Sequence, residues 1–224
     1  MISAVAFCPQ PPLLVPEVAQ GAAAEVDELR IACRTAIRKT ATPGTALVVV
    51  GGGDEWRRHD PTARGSLAGY GVPMQVPLGS DEPGPVELPL ALTIGAWLLR
   101  EAVGPNCGAA GVSVGPEPGR LDPFGDAAAI ALLVMGDGSA RRSTSAPGYF
   151  DERAAGFDVQ LAAALRSGKP AALRVDTRLG DELLATAPRV WAGLAPALDD
   201  ASYRGELLYD AAPYGVGYFV AVWT

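Results

Sequence analysis

Ala46-Leu47-Val48-Val49-Val50-Gly51-Gly52-Gly53-Asp54 is the stretch that decides the fold. Five apolar residues run without a polar break and then stop at three glycines and an acid. A strand with one wet face alternates polar and apolar residues, whereas a strand covered on both faces reads as a continuous apolar run. The stretch therefore predicts a buried central strand opening into a loop at its carboxyl end. Two further runs behave alike. Ala128 to Met135 is apolar and ends in Gly136-Asp137-Gly138-Ser139, and Ile2 to Cys8 stops at Pro9-Gln10-Pro11-Pro12. Proline cannot donate to a ladder, so that third run must end there.

Helical patterns lie between these strands. Ala22, Val26, Leu29, Cys33, Ala36 and Ile37 recur at helical spacing, as do Ala154, Phe157, Leu161 and Leu165. Glu87 to Val103 predicts a mostly apolar helix, and shorter helices are expected over 178–187 and 190–198. Further strands are expected over 109–114, 206–209 and 216–223. Residues 55–85 are rich in Gly, Pro and Asp and predict an extended excursion or hairpin. Strands alternating with helices predict one layered α/β domain over 1–224. In open α/β sheets ligands sit beyond the carboxyl ends of the strands. The loops at Cys8-Pro9-Gln10, Gly52-Gly53-Asp54 and Asp137-Gly138-Ser139 are expected to converge on one cleft.

Composition narrows the function classes. The 224 residues are 49% hydrophobic and 19% charged, which supports a sizeable core and argues against disorder. A net charge of −7 repels phosphate backbones, and the one dense basic run, Trp56-Arg57-Arg58-His59, has acids on both sides. No nucleic-acid partner is expected. Three widely spaced cysteines, Cys8, Cys33 and Cys107, fit neither a disulfide framework nor a zinc motif. The start has no basic segment before its apolar run, and no uncharged apolar stretch is long enough to span a membrane. A cytoplasmic protein without a membrane partner is the expectation.

Three segments carry a family likeness. They are Phe7-Cys8-Pro9-Gln10-Pro11-Pro12-Leu13-Leu14-Val15-Pro16-Glu17, then Gly136-Asp137-Gly138-Ser139-Ala140-Arg141-Arg142 with Pro147-Gly148-Tyr149-Phe150-Asp151 and Phe157-Asp158, and finally Ala212-Pro213-Tyr214-Gly215-Val216-Gly217-Tyr218. In this order they resemble the class III extradiol ring-cleavage dioxygenase B-subunit superfamily and its Memo-like relatives. The resemblance implies a three-layer α/β/α sandwich around a mixed central sheet. It also implies, in active members, Fe(II) held by two histidines and a glutamate, with a further histidine as acid/base. Here those positions read Gln10, the neighbourhood of Gly53 (nearest polar residues Asp54 and His59), Ala140, and about Ala211 with Asp210 beside it.

The expectation is therefore a metal-free, catalytically degenerate relative with no cofactor and no catalytic residue of the family type. Its retained cleft would be lined by Gln10, Gly53, Asp54, Asp137, Ser139, Ala140, Arg141, Asp210, Ala211 and Tyr214, and would hold a small molecule or a partner. Two alternatives stay open. One is an enzyme of altered chemistry, either a hydrolase pairing Asp54 and Asp137 or Asp210, or a metal enzyme with oxygen ligands. The other is a structural or assembly subunit meeting a partner subunit or a second copy. Plainer roles are expected elsewhere: His59 as a solvated loop side chain, Arg141 and Arg142 as a solvated pair more often than as binders of a carboxylate or phosphate, Cys8 as a buried inert thiol. Ser139 fails the nucleophile-elbow pattern because position 141 is Arg.

Overall fold

A computed structural model describes residues 1–117, 128–198 and 202–224. The strands are β1 (Ile2–Cys8), β2 (Ala46–Gly52), β3 (Arg57–His59), β4 (Arg64–Ser66), β5 (Gln75–Pro77), β6 (Ala110–Val114), β7 (Ile130–Met135), β8 (Gly205–Ala211) and β9 (Tyr218–Trp223). The helices are α1 (Pro16–Ala19), α2 (Asp27–Thr40), α3 (Leu90–Val103), α4 (Arg153–Ser167), α5 (Thr177–Glu182) and α6 (Ala187–Leu198). Among the described residues the main sheet has seven strands in the order β3-β6-β2-β7-β1-β9-β8. β1, β2, β6 and β7 are mutually parallel, while β3 and β9 run antiparallel to their neighbours. β4 and β5 form a separate antiparallel hairpin. The fold is α/β around a mixed sheet, as the strand-helix alternation predicts.

Each central strand sends alternate side chains into two cores, because successive side chains point to opposite faces. Ala6, Cys8, Val49, Leu133 and Met135 meet α2 and α3 on one face. Val5, Phe7, Val48, Val50, Leu132 and Val134 meet α4 and α6 on the other. Both sets are apolar, which is why the strands read as unbroken hydrophobic runs. The second core is anchored by aromatic rings: Phe7 stands edge-on to Trp191 at 5.8 Å and to Trp223 at 5.1 Å. Trp223 satisfies its buried indole N–H by donating to Leu165 O at 2.7 Å.

The helices follow the same logic. α2 buries Leu29, Cys33, Ala36, Ile37 and Thr40 along one stripe. Asp27 and Glu28 occupy its first turn and Arg38 and Lys39 its last, complementing the helix dipole. The helical pattern predicted from Ala22 begins later, because residues 20–26 wind as a 3-10 segment and Ala22 to Ala24 bury little. Over 178–187 the expected helix is shorter, since Leu184 turns to a left-handed φ of 58° beyond α5.

Two findings depart from the sequence reading. Residues 55–85 hold, besides the hairpin, the edge strand β3, whose Arg57 and Arg58 gave no apolar signal. A short charged strand with one partner is a common way to blunt a sheet edge. At the opposite edge β8 carries an irregularity between Leu207 and Tyr209. Glu206, before it, pairs with Lys39 of α2, whereas Asp210, after it, pairs with Arg166 of α4. One extra residue flips the strand's alternation and sends the two acids to opposite faces. Among the described residues no helix is long and apolar enough to cross a membrane.

Candidate functional site

The four parallel strands end at one edge of the sheet. β8 ends there too, because it is antiparallel to β9, which is antiparallel to β1. Gln10, Gly53, Asp54, Asp137 and Ala211 therefore share that edge. With strands about 4.8 Å apart, Gln10 lies roughly 10 Å from either flank, and Gly53 and Ala211 are about 19 Å apart. The edge is common to all of them, but it is wider than one small-molecule pocket.

At its centre the loops are bonded together. The Gln10 backbone N–H donates to Asp137 Oδ1 at 2.8 Å. The Asp137 N–H donates to Thr186 Oγ1 at 2.8 Å, and Asp137 O accepts from Thr186 and Ala187 at 3.1 and 3.0 Å. The loop after β7 is thus stitched to the start of α6. Burial pushes the Asp137 carboxyl up to about 7, against the lowering effect of the Gln10 N–H. Burial, and then the neighbouring Asp137, push the Tyr218 hydroxyl well above the usual tyrosine range. The Gln10 side-chain oxygen is buried and has no hydrogen-bond partner among the described residues.

A second cluster shapes the adjoining loop. Asp158 of α4 is 2% exposed. It accepts from the Ser139 N–H at 2.8 Å, the Ser139 hydroxyl at 2.9 Å and Arg142 Nη1 at 2.9 Å. Gly138 and Gly217 press against the same carboxylate: a Cβ at Gly217 would lie 2.4 Å from Asp158 Oδ2. Gly138 N–H donates to Gly217 O at 2.7 Å, and Gly217 N–H to Ser139 O at 2.8 Å. Asp158 therefore clamps the loop after β7 to α4, while backbone bonds join that loop to the turn before β9.

Open space lies to one side of this centre. Two adjoining hollows of about 380 and 410 Å³ share Val114, Pro116, Asp181 and Arg189. The first is bounded by Gly52, Gly53 and Asp54 at the end of β2 and by Thr186 and Arg189 at the start of α6. The second extends toward Trp56 and Gly193. Arg189 Nη2 donates to both Asp181 oxygens at 2.8 Å, a charged pair on the wall.

The predicted residues divide accordingly. Gly53 and Asp54 line the hollow, and Gln10 and Asp137 adjoin it through Thr186. Ser139 does not line it: it is fully buried on Asp158. Ala140 packs on the α2 side and donates its N–H to Leu183 O at 2.9 Å. Arg141 and Arg142 are not a solvated pair, since Arg141 donates to Gly148 O at 2.5 Å and Arg142 pairs with buried Asp158. Asp210 turns to Arg166 at 3.1 Å and is not paired with Asp137, three strands away. Ala211 is exposed. Tyr214 donates its hydroxyl to Glu25 at 2.5 Å and holds a left-handed φ of 59°. Cys8 is buried against Cys33, and burial raises its thiol pKa, which keeps it protonated and unreactive. Sequence reasoning missed Thr186, Arg189 and Asp158. Asp158 alone had a signal there, as an acid on the buried stripe of the Ala154-Phe157-Leu161 helix.

His59 is the clearest correction. It is 3% exposed rather than solvated. Its Nδ1 lies 3.3 Å from Glu87 Oε1 and its Nε2 lies 3.2 Å from Ser113 Oγ. The iron implied by the family resemblance does not fit these residues. Gln10 supplies an amide, Gly53 no side chain, Ala140 and Ala211 only methyl groups, and the chain's only histidine has both ring nitrogens engaged. No known protein-family model matches the chain, and no curated protein matches it.

Proposed function

We propose that this chain binds a small molecule at the carboxyl edge of its sheet, as an iron-free relative of the extradiol dioxygenase B-subunit superfamily. The observation that carries the reading is the hollow of about 380 Å³ between Gly53-Asp54 and the start of α6. It lies where open α/β sheets bind ligands and falls within the size range of small-molecule sites. Asp54, Thr186 and Arg189 supply polar groups around an apolar floor that includes Val114 and Val190. Gly52 gives a direct test, because a Cβ there meets nothing within 4 Å. Gly52→Phe should fill the hollow without disturbing the strand. Ligand-observed NMR against small polar aromatic fragments should give binders to the wild type that are lost in Gly52→Phe. Absence of any binder, or binding indifferent to the substitution, would remove the reading.

One observation favours a second reading, an enzyme of altered chemistry. A carboxyl raised to about 7 beside a cleft is poised to hold and release a proton near neutrality. In that reading Asp137 acts as acid/base, held by the Gln10 N–H. Asp137→Asn separates the readings: it should leave fragment binding in place and abolish any turnover.

A further inference from the structure

The hollow that adjoins the proposed ligand site, sharing Val114, Pro116, Asp181 and Arg189 with it, has a wall made by Trp56, and the segment that carries Trp56 rests on a buried relay. Trp56 precedes the edge strand β3, its indole N–H donates to Glu117 O at 2.8 Å, and Gly193 of α6 leaves room for its ring. The backbone of Glu55 and Trp56 lies flat on Gly115, where a Cβ would come within 2.8 Å of Glu55 Cα. Ahead of the β3–β6 pairing that starts at Arg57, this backbone is held by the Ser113 hydroxyl, which donates to Glu55 O at 2.8 Å and has Arg57 O as a longer second acceptor at 3.4 Å.

Ser113 is also the partner of His59. Counting protons through Glu87, His59, Ser113 and Glu55 leads to two arrangements. Glu87 is engaged on its other oxygen by Arg57 at 2.7 Å, so it faces His59 Nδ1 as an acceptor and calls for a proton there. If Nε2 also carries a proton, it donates to Ser113 Oγ, and the hydroxyl proton stays on Glu55 O. If Nε2 is bare, the single hydroxyl proton of Ser113 is drawn to it, and Glu55 O loses its donor. The charged groups facing the ring are Glu87 and, through it, Arg57; from β6 it meets Ser113 and Gly111, and nearby Leu78 and Leu92 are apolar.

We propose that His59 is a proton-operated latch on the crevice wall: the imidazolium keeps Ser113 bonded to Glu55, and loss of the Nε2 proton diverts Ser113 and loosens the segment bearing Trp56. An imidazole is the side chain whose charge changes in the physiological range. The doubly protonated ring makes the larger number of bonds in the folded chain, so the wall is tighter at low pH and loosens as pH rises. The regulatory meaning rests on the ligand-binding reading, but the latch itself acts in the ligand-free protein.

The test uses the full wild-type chain. It has one histidine, so its ring signals in a ¹⁵N-histidine-labelled sample are unambiguous. At low pH both ring nitrogens should carry the shifts of protonated nitrogen, and on raising the pH only Nε2 should change. Over the same range the amide protection of Trp56 to His59, corrected for intrinsic exchange, should fall about fivefold, the worth of one neutral hydrogen bond. Ser113→Ala should leave the ring titration in place and abolish the response at Trp56. His59→Gln should abolish both. A ring that titrates at Nδ1, a ring locked in one tautomer across pH 5–8, or a response at Trp56 that survives Ser113→Ala would overturn the latch. If Ser113→Ala fails to fold, the wild-type nitrogen shifts and His59→Gln decide. Fragment binding blocked by Gly52→Phe is judged separately, so the crevice can stand while the latch falls, and the reverse.

Discussion

Removing the Asp158 carboxylate should free the loop after β7 from α4. Asp158 accepts three hydrogen bonds at 2.8 to 2.9 Å while only 2% exposed, so water cannot replace it. Breaking a buried ion pair by deleting one partner costs about 3–5 kcal/mol. Arg142 keeps 31% of its side chain exposed and recovers water when its partner goes, which places Asp158→Ala at the lower end of that range. Most of the cost is the Ser139 N–H, left buried without an acceptor at about 1–3 kcal/mol. Asp158→Asn keeps one acceptor oxygen and should cost about 2 kcal/mol. Arg142→Ala leaves both Ser139 donors on the carboxylate but strips a buried charge of its counter-ion, and should cost about 3 kcal/mol. Guanidinium unfolding followed by tryptophan fluorescence measures these differences, because Trp191 and Trp223 report on the core packed against α4. Hydrogen exchange at Ser139 and Gly217 should show the loss locally. If Asp158→Ala costs under about 1 kcal/mol with an unchanged denaturant slope, the clamp is not what holds the loop.

Other outcomes follow from the same geometry. Gly217→Ala should destabilise by about 2 kcal/mol, because its Cβ would lie 2.4 Å from Asp158 Oδ2; Gly156→Ala, open on the α4 surface, should stabilise by about 0.5–1 kcal/mol, both read by chemical denaturation. Asp137 has a folded-state pKa of about 7 against an ordinary 3.8, so the folded chain binds the proton more tightly. That stabilisation is complete below pH 3.8 and is lost as pH rises to about 7, and Asp137→Asn should flatten this part of a melting-temperature profile. Native thiol titration should find Cys107 reacting first, with Cys8 and Cys33 reacting only on unfolding. Leu184→Gly should relieve a left-handed φ of 58° and raise the melting temperature slightly, a gain of about 1 kcal/mol.

Local sequence determined the elements of this protein. Val48-Val49-Val50 and Leu132-Leu133-Val134 are apolar on both faces because two helical layers cover them, and that double covering is written in consecutive residues. Pro9 ends β1 through backbone chemistry alone, and the glycine run that follows Val50 marks the end of β2 to within two residues, so the loop positions Gln10, Gly53, Asp54 and Asp137 were legible before any fold was known. What those side chains touch was not. Asp137 and Gln10 are bonded across 127 positions, Asp158 reaches Ser139 from a helix 19 residues on, and His59 takes its partners from Glu87 and Ser113. β3 gave no pattern because a charged edge strand exists only by pairing with β6. Asp210 left the edge because one extra residue in β8 turned it toward Arg166. Periodicity is a property of neighbouring residues and survives in sequence, whereas burial, pairing and proton affinity depend on groups that only the folded chain brings together.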